Sequence, residues 1–210
     1  MFDLESYFSS YQQKESIFRD HDVLRSDFIP TSLPHRDIQM RKIAEIVACV
    51  LKKSTPNNIL IFGKTGTGKT AVVKHINKKL NQMCIKSNLS APTWIYLNCK
   101  EVSTSYRILA KICNDLDSEN PVPISGWPLD VVFDEMIDRL EKHVHGNCFL
   151  ILDEIDIVAK KTKVTHDILY NLTRINSNPK LKSSKVNLIG ISNVLDFKRY
   201  LDPRVISSLG

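Results

Sequence analysis

Residues 58–70 read NILIFGKTGTGKT, and the class of fold can be predicted from this segment. Four apolar residues before the glycines predict a buried strand, and the pattern AVVKHI over residues 71–76 predicts an amphipathic helix after them. Glycines in such a loop let the backbone turn tightly and direct N–H groups at one point, to which the helix presents the positive end of its dipole. The stretch predicts a phosphate-binding loop, and the alternative is a turn that matches the pattern by chance.

Each residue type in this loop has a predicted part in binding a nucleoside triphosphate. Lys69 is predicted to reach the β- and γ-phosphates, and Thr70 is predicted to ligate Mg²⁺. The predicted nucleotide-binding residues of the loop are Gly63, Lys64, Thr65, Gly66, Thr67, Gly68, Lys69, Thr70 and Ala71.

The composition of the chain favours a globular protein. Its 210 residues are 42% hydrophobic, which suits one large α/β domain or one domain with a short appendage. No apolar stretch approaches the ~20 residues of a membrane span, and the N-terminus lacks the layout of a signal peptide, which predicts a cytoplasmic protein without a membrane partner. A net charge of +6 permits nucleic-acid binding without requiring it. The five widely spaced cysteines predict reduced core thiols.

Strands and helices alternate along most of the chain. Residues 1–30 are predicted to form an N-terminal arm, and residues 31–210 are predicted to form one nucleotide-binding domain. The predicted strands are about 58–62, 93–99, 148–152 and 186–191. The predicted helices are about 33–51, 71–83, 106–116, 129–144 and 164–176. Alternation of this kind predicts a parallel sheet with right-handed crossovers.

An acidic pair follows the apolar run over residues 148–152. At the end of a buried strand, Asp153 is predicted to hold Mg²⁺ and Glu154 to activate the attacking water as a general base. The alternative is an acidic helix cap after a buried strand.

Three further residues are candidates for acting on the γ-phosphate or on the attacking water. Asn193 follows the last strand and could orient the water, although an asparagine there is usually a turn residue. Arg174 and Arg204 could sense the charge that develops on the phosphate, and the alternative for each is a surface ion pair.

The remaining charged clusters are less specific. Lysines at residues 160–163 and 180–185 lie in predicted loops, where they could meet phosphates or form a solvated face. Three acidic residues at helical spacing are predicted to form a solvated face: Glu135, Asp138 and Glu141.

Six segments of the chain share their pattern with one family. The segments are Pro34-His35-Arg36, residues 62–70, ILDEID at 151–156, LYNLTRIN at 169–176, IGISN at 189–193 and LDPRVISSL at 201–209. Together they resemble the archaeal origin-recognition proteins, the cell division control protein 6 homologues of the AAA+ ATPases. The resemblance implies a three-layer α/β P-loop NTPase fold of AAA+ type with a parallel central sheet.

The resemblance also implies a function and its partners. It implies an ATP-dependent replication initiator that binds double-stranded origin DNA, helps recruit or load the replicative helicase, and assembles with homologous initiator subunits. A weak Mg²⁺-dependent ATPase would act as a slow switch, with ATP and Mg²⁺ as cofactors and Asn193 as sensor 1.

Particular residues carry further implied roles. The residues implied to lie near the adenine are Phe28, Ile29, Pro30, His35 and Arg36. Residues 102–116 would correspond to a helical insertion that touches DNA, with Ser103, Ser105 and Arg107 placed for phosphate contacts, and the alternative is an ordinary connecting helix.

Members of this family continue into a helical lid and a winged-helix domain, which are expected to be absent from this chain. Two alternative functions stay open. One is another AAA+ activity, such as a helicase loader or a transposition-regulating ATPase. The other is a non-hydrolysing module that binds ATP and DNA.

Overall fold

The computed structural model describes residues 3–12, 23, 28, 30, 32–160 and 163–209. The chain divides into two compact units, Met1–Ser32 and Leu33–Gly210. The first unit contains helix α1, Leu4–Gln12, where the sequence analysis predicted only an arm. Large apolar residues recur along α1 with the i, i+3, i+4, i+7 spacing that indicates a helix. These residues, all exposed, are Leu4, Tyr7, Phe8 and Tyr11.

The second unit is built on one parallel sheet. Its strands are β1 (Ile59–Phe62), β2 (Thr93–Asn98), β3 (Gly146–Asp153) and β4 (Ser184–Ser192). Their order across the sheet is β1, β4, β3, β2, and each neighbouring pair is parallel. The central strands β3 and β4 are buried almost throughout, because helices cover both of their faces.

Helices connect and flank the strands. In chain order they are α2 (Asp37–Val47), α3 (Lys69–Lys86), α4 (Ser105–Leu116), α5 (Leu129–His143), α6 (Asp156–Ala159), α7 (Lys163–Thr173) and α8 (Pro203–Leu209). Short 3₁₀ helices occupy Ala48–Lys52, Ile175–Ser177 and Phe197–Tyr200. The predicted bounds differ mainly at helix ends: α2 begins only after Arg36, and α3 extends beyond Met83 to Lys86. None of the helices described is long and apolar enough to cross a membrane.

Side chains of the central strands alternate between two separate cores. Phe149 and Ile151 of β3 pack with α2 and α3, whereas Leu150 and Leu152 pack with residues of α4 to α8. This alternation follows from the two-residue repeat of a strand. The predicted three-layer α/β architecture with a parallel central sheet is therefore confirmed.

Gly190 lies where β4 passes closest to its neighbours. A Cβ at this position would stand 3.1 Å from Leu60 Cδ1 and 3.3 Å from Ile155 Cδ1. Such contacts are tighter than ordinary packing allows, so glycine lets Leu60 of β1 and Ile155, two residues after the end of β3, approach β4 closely. The carboxyl ends of these three strands meet at one edge of the sheet.

The cysteines are free thiols, and four of them are buried: Cys84, Cys99, Cys113 and Cys148. Burial raises the pKa of Cys99 and of Cys148 to about 12. These two thiols therefore stay protonated at neutral pH. The prediction of reduced core thiols is confirmed for the four buried cysteines, while Cys49 is only half-buried.

The acidic residues of α5 are engaged in contacts. Glu141 accepts hydrogen bonds from the backbone N–H groups of Lys182, Ser183 and Ser184 at 2.9–3.2 Å, and from the Ser183 hydroxyl at 2.8 Å. It therefore attaches the start of β4 to the end of α5. The other two acids form ion pairs, Glu135 with Arg139 and Asp138 with Lys180. Glu141 therefore has a structural role in addition to its place on the predicted solvated face.

We expect Glu141→Gln to destabilise the fold in a pH-dependent way. The hydrogen bonds from Ser183 lower the pKa of Glu141 from 4.5 to about 2, because they favour the ionised carboxylate. A lowered folded-state pKa adds stability above about pH 4.5, and that stability is lost as pH falls towards 2. The variant should therefore unfold a few degrees below wild type at pH 7, and the gap should narrow at pH 3.

Thermal unfolding followed by circular dichroism at both pH values measures this effect. The matched control is Glu119→Gln, an exposed glutamate in the loop after α4. A gap between Glu141→Gln and wild type that is equally wide at both pH values would contradict the assignment.

Candidate functional site

The glycine-rich loop joins β1 to α3. Gly66 and Gly68 have φ angles of 77° and 78°, in the left-handed region that favours glycine, and Gly68 is the N-cap of α3. Thr67 Oγ1 donates a hydrogen bond to Lys64 O at 2.8 Å, which closes the loop on itself. The first N–H groups of a helix have no partner within it, so the start of α3 offers donors to an anion.

Lys69 connects the loop with the end of β4. Its Nζ donates to Gly63 O and Lys64 O, both at 3.0 Å, and to Asn193 Oδ1 at 2.8 Å. The structure thus brings together two site residues that lie 124 positions apart in the sequence. The roles of Lys69 and Asn193 towards a nucleotide stay predictions.

Among the described residues, three donors hydrogen-bond to Asp153. Thr70 Oγ1 donates to Asp153 Oδ2 at 2.6 Å, and the Tyr96 hydroxyl donates to the same oxygen at 2.8 Å. The other oxygen, Oδ1, accepts from the Glu154 N–H at 2.8 Å. Thr70 and Asp153, the two predicted magnesium ligands, are therefore adjacent. Oxygen atoms such as theirs are the ligands that Mg²⁺ prefers.

Tyr96 is a site residue that the sequence analysis missed. Burial raises its pKa and the hydrogen bond to Asp153 raises it further, so the phenol remains a donor at neutral pH. The strand register explains why Tyr96 reaches the site. β2 pairs in parallel with β3, and Asn98 lies opposite Asp153. Tyr96 precedes Asn98 by two residues and therefore lies on the same face of β2.

Glu154 has an unusual backbone. Its φ angle is 54°, in the left-handed region that residues with a Cβ seldom adopt. Strained positions of this kind cluster at functional sites. Within the described residues, the Glu154 carboxylate makes no hydrogen bond or ion pair. Its role as general base stays a prediction.

Asp156 positions the end of β4. Its Oδ1 accepts from the Ser192 hydroxyl and from the Asn193 N–H, both at 3.0 Å, and the residue is only 8% exposed. Asp156 stands at the start of α6, so this contact ties the segment after β3 to the asparagine that Lys69 meets. The sequence analysis quoted Asp156 only as part of the ILDEID segment and gave it no role.

A cavity of about 260 Å³ adjoins the loop. Arg36, Gln39, Ile61 and Val72 are among its lining residues, together with Gly63 of the loop. Arg36 thus lies beside the loop, whereas His35 is exposed with a φ angle of 61°. This cavity is the place where an adenine could lie, and the adenine roles stay predictions.

The other residues that are implied to lie near the adenine are not part of the second unit. Phe28 and Pro30 belong to the first unit, and Ile29 lies outside the described residues. Of the remaining loop residues, Lys64, Thr65 and Gly66 are exposed, and Ala71 is half-buried.

The two candidate arginines share one tyrosine. The guanidinium groups of Arg174 and Arg204 each lie 5.2 Å from the centre of the Tyr170 ring. Arg204 also pairs with Asp167 at 2.9 Å and with Asp202 at 3.0 Å. For Arg204, these contacts agree with the alternative of a surface ion pair.

The predicted helical insertion is a core helix over much of its length. Thr104 caps α4 by accepting a hydrogen bond from the Arg107 N–H. Five apolar residues of α4 are buried against α5 and the sheet. Ser105 is only 7% exposed, so its predicted phosphate contact is wrong in this structure, whereas Arg107 is exposed and Ser103 is half-buried. The loop after α4 exposes two large apolar side chains instead, Ile124 and Trp127.

The lysine clusters differ in their surroundings. Lys180 pairs with Asp138 at 3.2 Å and with Asp134 at 3.7 Å, and Lys185 belongs to β4 rather than to a loop. Lys161 and Thr162 lie outside the described residues. Lys160 lies 5.0 Å from the centre of the Tyr200 ring.

A loop lysine that contacts a polar residue at the carboxyl end of the neighbouring strand, beside an acidic pair, is the arrangement of a P-loop NTPase. Residues 52–196 match the family model described as an AAA domain, and the chain belongs to this family.

Individual relatives agree with the resemblance. The chain is 44% identical over 211 residues to the ORC1-type DNA replication protein of Thermococcus onnurineus, covering 98% of this chain and 49% of the relative. It is similar to the structure of the Aeropyrum pernix ORC1 protein in complex with DNA, with a TM-score of 0.80, 36% identity, and coverage of 91% of this chain and 47% of that one.

A further structure, the Aeropyrum pernix ORC2 protein in ADPNP–ADP complexes, shares the fold with a TM-score of 0.73, at 22% identity over 92% of this chain and 51% of that one. The chain thus spans about half the length of the relatives that it matches. The predicted resemblance to the archaeal origin-recognition proteins is confirmed.

Proposed function

We propose that this chain is the nucleotide-binding part of an ATP-dependent replication initiator. In this proposal it binds duplex origin DNA, helps recruit or load the replicative helicase, and uses slow ATP hydrolysis as a switch. The observation that carries the proposal is the contact of Lys69 with Asn193, beside Thr70 and Asp153, in a chain similar to ORC1-type DNA replication proteins.

The site residues divide the work on the nucleotide. The N–H groups at the start of α3 and the Lys69 ammonium hold the phosphates, and Glu154 takes a proton from the attacking water. Thr70 and Asp153 would hold Mg²⁺, which supplies neutralisation of phosphate charge when it is bound. The carbonyl groups and Asn193 that contact Lys69 keep its ammonium at the mouth of the loop.

The contacts of Asn193 support a switch. The side-chain Oδ1 of Asn193 accepts a hydrogen bond from Lys69. Its backbone N–H donates a hydrogen bond to Asp156, on the segment that follows Glu154. A change of charge at the γ-phosphate would alter the Lys69 contact, and the Asn193–Asp156 link would pass the change to α6. A ligand that favours one arrangement shifts the population without fast turnover.

The exposed side chains after α4 support a DNA contact. Ile124 is 73% exposed and Trp127 is 42% exposed, in a loop between two core helices that fix its ends. Apolar wedges of this kind insert between base steps, and aromatic rings stack on bases. We therefore place the DNA contact of this part of the chain on this loop rather than on α4.

Fluorescence anisotropy tests the DNA part of the proposal. We expect ATP to strengthen binding to duplex DNA from the chain's own replication origin more than binding to a scrambled duplex, across a salt series. Trp127→Ala should weaken binding roughly tenfold, since loss of a stacked ring costs about 1–3 kcal/mol. Tyr200→Ala, which removes an aromatic ring of similar exposure at 43%, is the matched control. Equal, salt-sensitive binding of wild type to both duplexes would contradict origin recognition by this part of the protein.

A further inference from the structure

We propose that Tyr96 is a positioning residue, which fixes the Asp153 carboxylate for the magnesium ion of the nucleotide site. The inference rests on the proposed ATP-binding function. Tyr96 lies on β2, outside the loop and outside the segments that follow β3 and β4. Its hydroxyl nevertheless reaches Asp153 Oδ2 at 2.8 Å.

The hydrogen bonds of Asp153 show what Tyr96 contributes. An ionised carboxylate offers about four lone-pair directions, and donors from the described part of the chain occupy three of them. The Glu154 N–H takes one on Oδ1, while the hydroxyls of Thr70 and Tyr96 take two on Oδ2. About one direction is left for a cation or its water ligand. Tyr96 therefore restricts both the rotation of the carboxylate and the number of ligands that it can hold.

The three donors come from different parts of the fold. Glu154 is the next residue of the same segment, and Thr70 belongs to α3 with the phosphate-binding loop. Tyr96 is the donor that comes from a neighbouring strand, and β2 is paired with β3 along its whole length. Its hydroxyl thus ties the carboxylate to the sheet, whereas Thr70 ties it to the loop.

The tyrosine ring is itself held in place by the helix that carries Thr70. Lys74 follows Thr70 by one helical turn, so both side chains lie on the same face of α3. The Lys74 Nζ lies 5.1 Å from the centre of the Tyr96 ring, within the range of a cation–π interaction. Residues that orient a metal ligand in this way typically change metal affinity or activity by about 10- to 100-fold when they are replaced.

Tyr96→Phe tests the inference, because it removes the hydroxyl and keeps the ring. The affinity for a non-hydrolysable ATP analogue is measured across a magnesium titration and in excess EDTA. We expect the Mg²⁺ concentration for half-maximal tightening of binding to rise about tenfold, with the affinity in EDTA unchanged. The matched control is Tyr106→Phe. It removes a hydroxyl that lies away from the site and donates a hydrogen bond of 2.9 Å to Pro123 O.

The outcomes separate the inference from the proposed function. Wild-type magnesium dependence in Tyr96→Phe, or an equal loss of affinity with Mg²⁺ and with EDTA, overturns the positioning role alone. If the wild-type chain binds the analogue with no dependence on Mg²⁺, the proposed magnesium-dependent function fails and the inference fails with it. A magnesium shift in Tyr106→Phe as large as that in Tyr96→Phe would also overturn the role, since it would point to a general effect on the fold.

Discussion

Lys69→Ala is expected to reduce the affinity for Mg-ATP by at least about 100-fold. The Lys69 ammonium lies 3.0 Å from two loop carbonyls and 2.8 Å from Asn193, at the mouth of the predicted phosphate site. Hydrogen bonds to charged groups contribute about 1.5–3 kcal/mol each, and a lysine that bridges two phosphates makes two of them. About 3 kcal/mol corresponds to the stated loss. Isothermal titration calorimetry with ATP and magnesium measures it.

The control for this prediction is Lys78→Ala. Lys78 is an exposed lysine on the same helix, α3, so its replacement makes the same change of net charge away from the loop. It should bind Mg-ATP within about twofold of wild type, since exposed charges contribute little at a distance. Wild-type affinity in Lys69→Ala, with wild-type thermal stability, would refute the assignment of the loop.

Glu154→Gln is expected to lower the rate of ATP hydrolysis by about 100-fold or more and to leave ATP affinity within about threefold of wild type. General base catalysis contributes about 10²- to 10⁴-fold, and glutamine has the shape of glutamate without its capacity to accept a proton. Because the two side chains have the same shape, we expect the variant to keep the φ angle of 54°, so that a change of backbone does not cause the loss. Single-turnover hydrolysis, combined with a binding titration, separates the chemical step from binding.

The result for the wild-type chain distinguishes the proposed function from the non-hydrolysing alternative. Turnover by wild type that disappears in Glu154→Gln supports a weak ATPase. Binding without any turnover by wild type would favour a module whose nucleotide site is structural. Glu119→Gln, an exposed loop glutamate, should hydrolyse ATP as wild type does.

Much of the fold could be predicted from the sequence, because its signals are local. The glycine-rich loop, the apolar runs that became β3 and β4, and the alternation of strand and helix each lie within a few residues of sequence. The parallel sheet follows, since crossover helices leave few other ways to bury such strands. The main miss was α1, whose apolar residues do have helical spacing.

Residues of short sequence patterns lie together in the structure, and their roles towards a nucleotide stay predictions. Lys69, Thr70, Asp153 and Asn193 are brought together, because parallel strands place their carboxyl ends at one edge of the sheet. The prediction for Ser105 failed because the polar residue falls on the buried face of an amphipathic helix. Spacing predicts that a helix forms, but the packing of α5 decides which face is covered.

The class of fold and the position of the glycine-rich loop follow from local sequence patterns. The contacts that hold the acidic residues are visible in the folded chain alone. Tyr96 reaches Asp153 across 57 positions, and Glu141 holds the start of β4 across 41 to 43 positions. The physical reason is that a glycine turn or an apolar run is written in neighbouring residues, whereas the partner of a carboxylate depends on strand order and register. Those are fixed only when the two cores pack on opposite faces of the sheet.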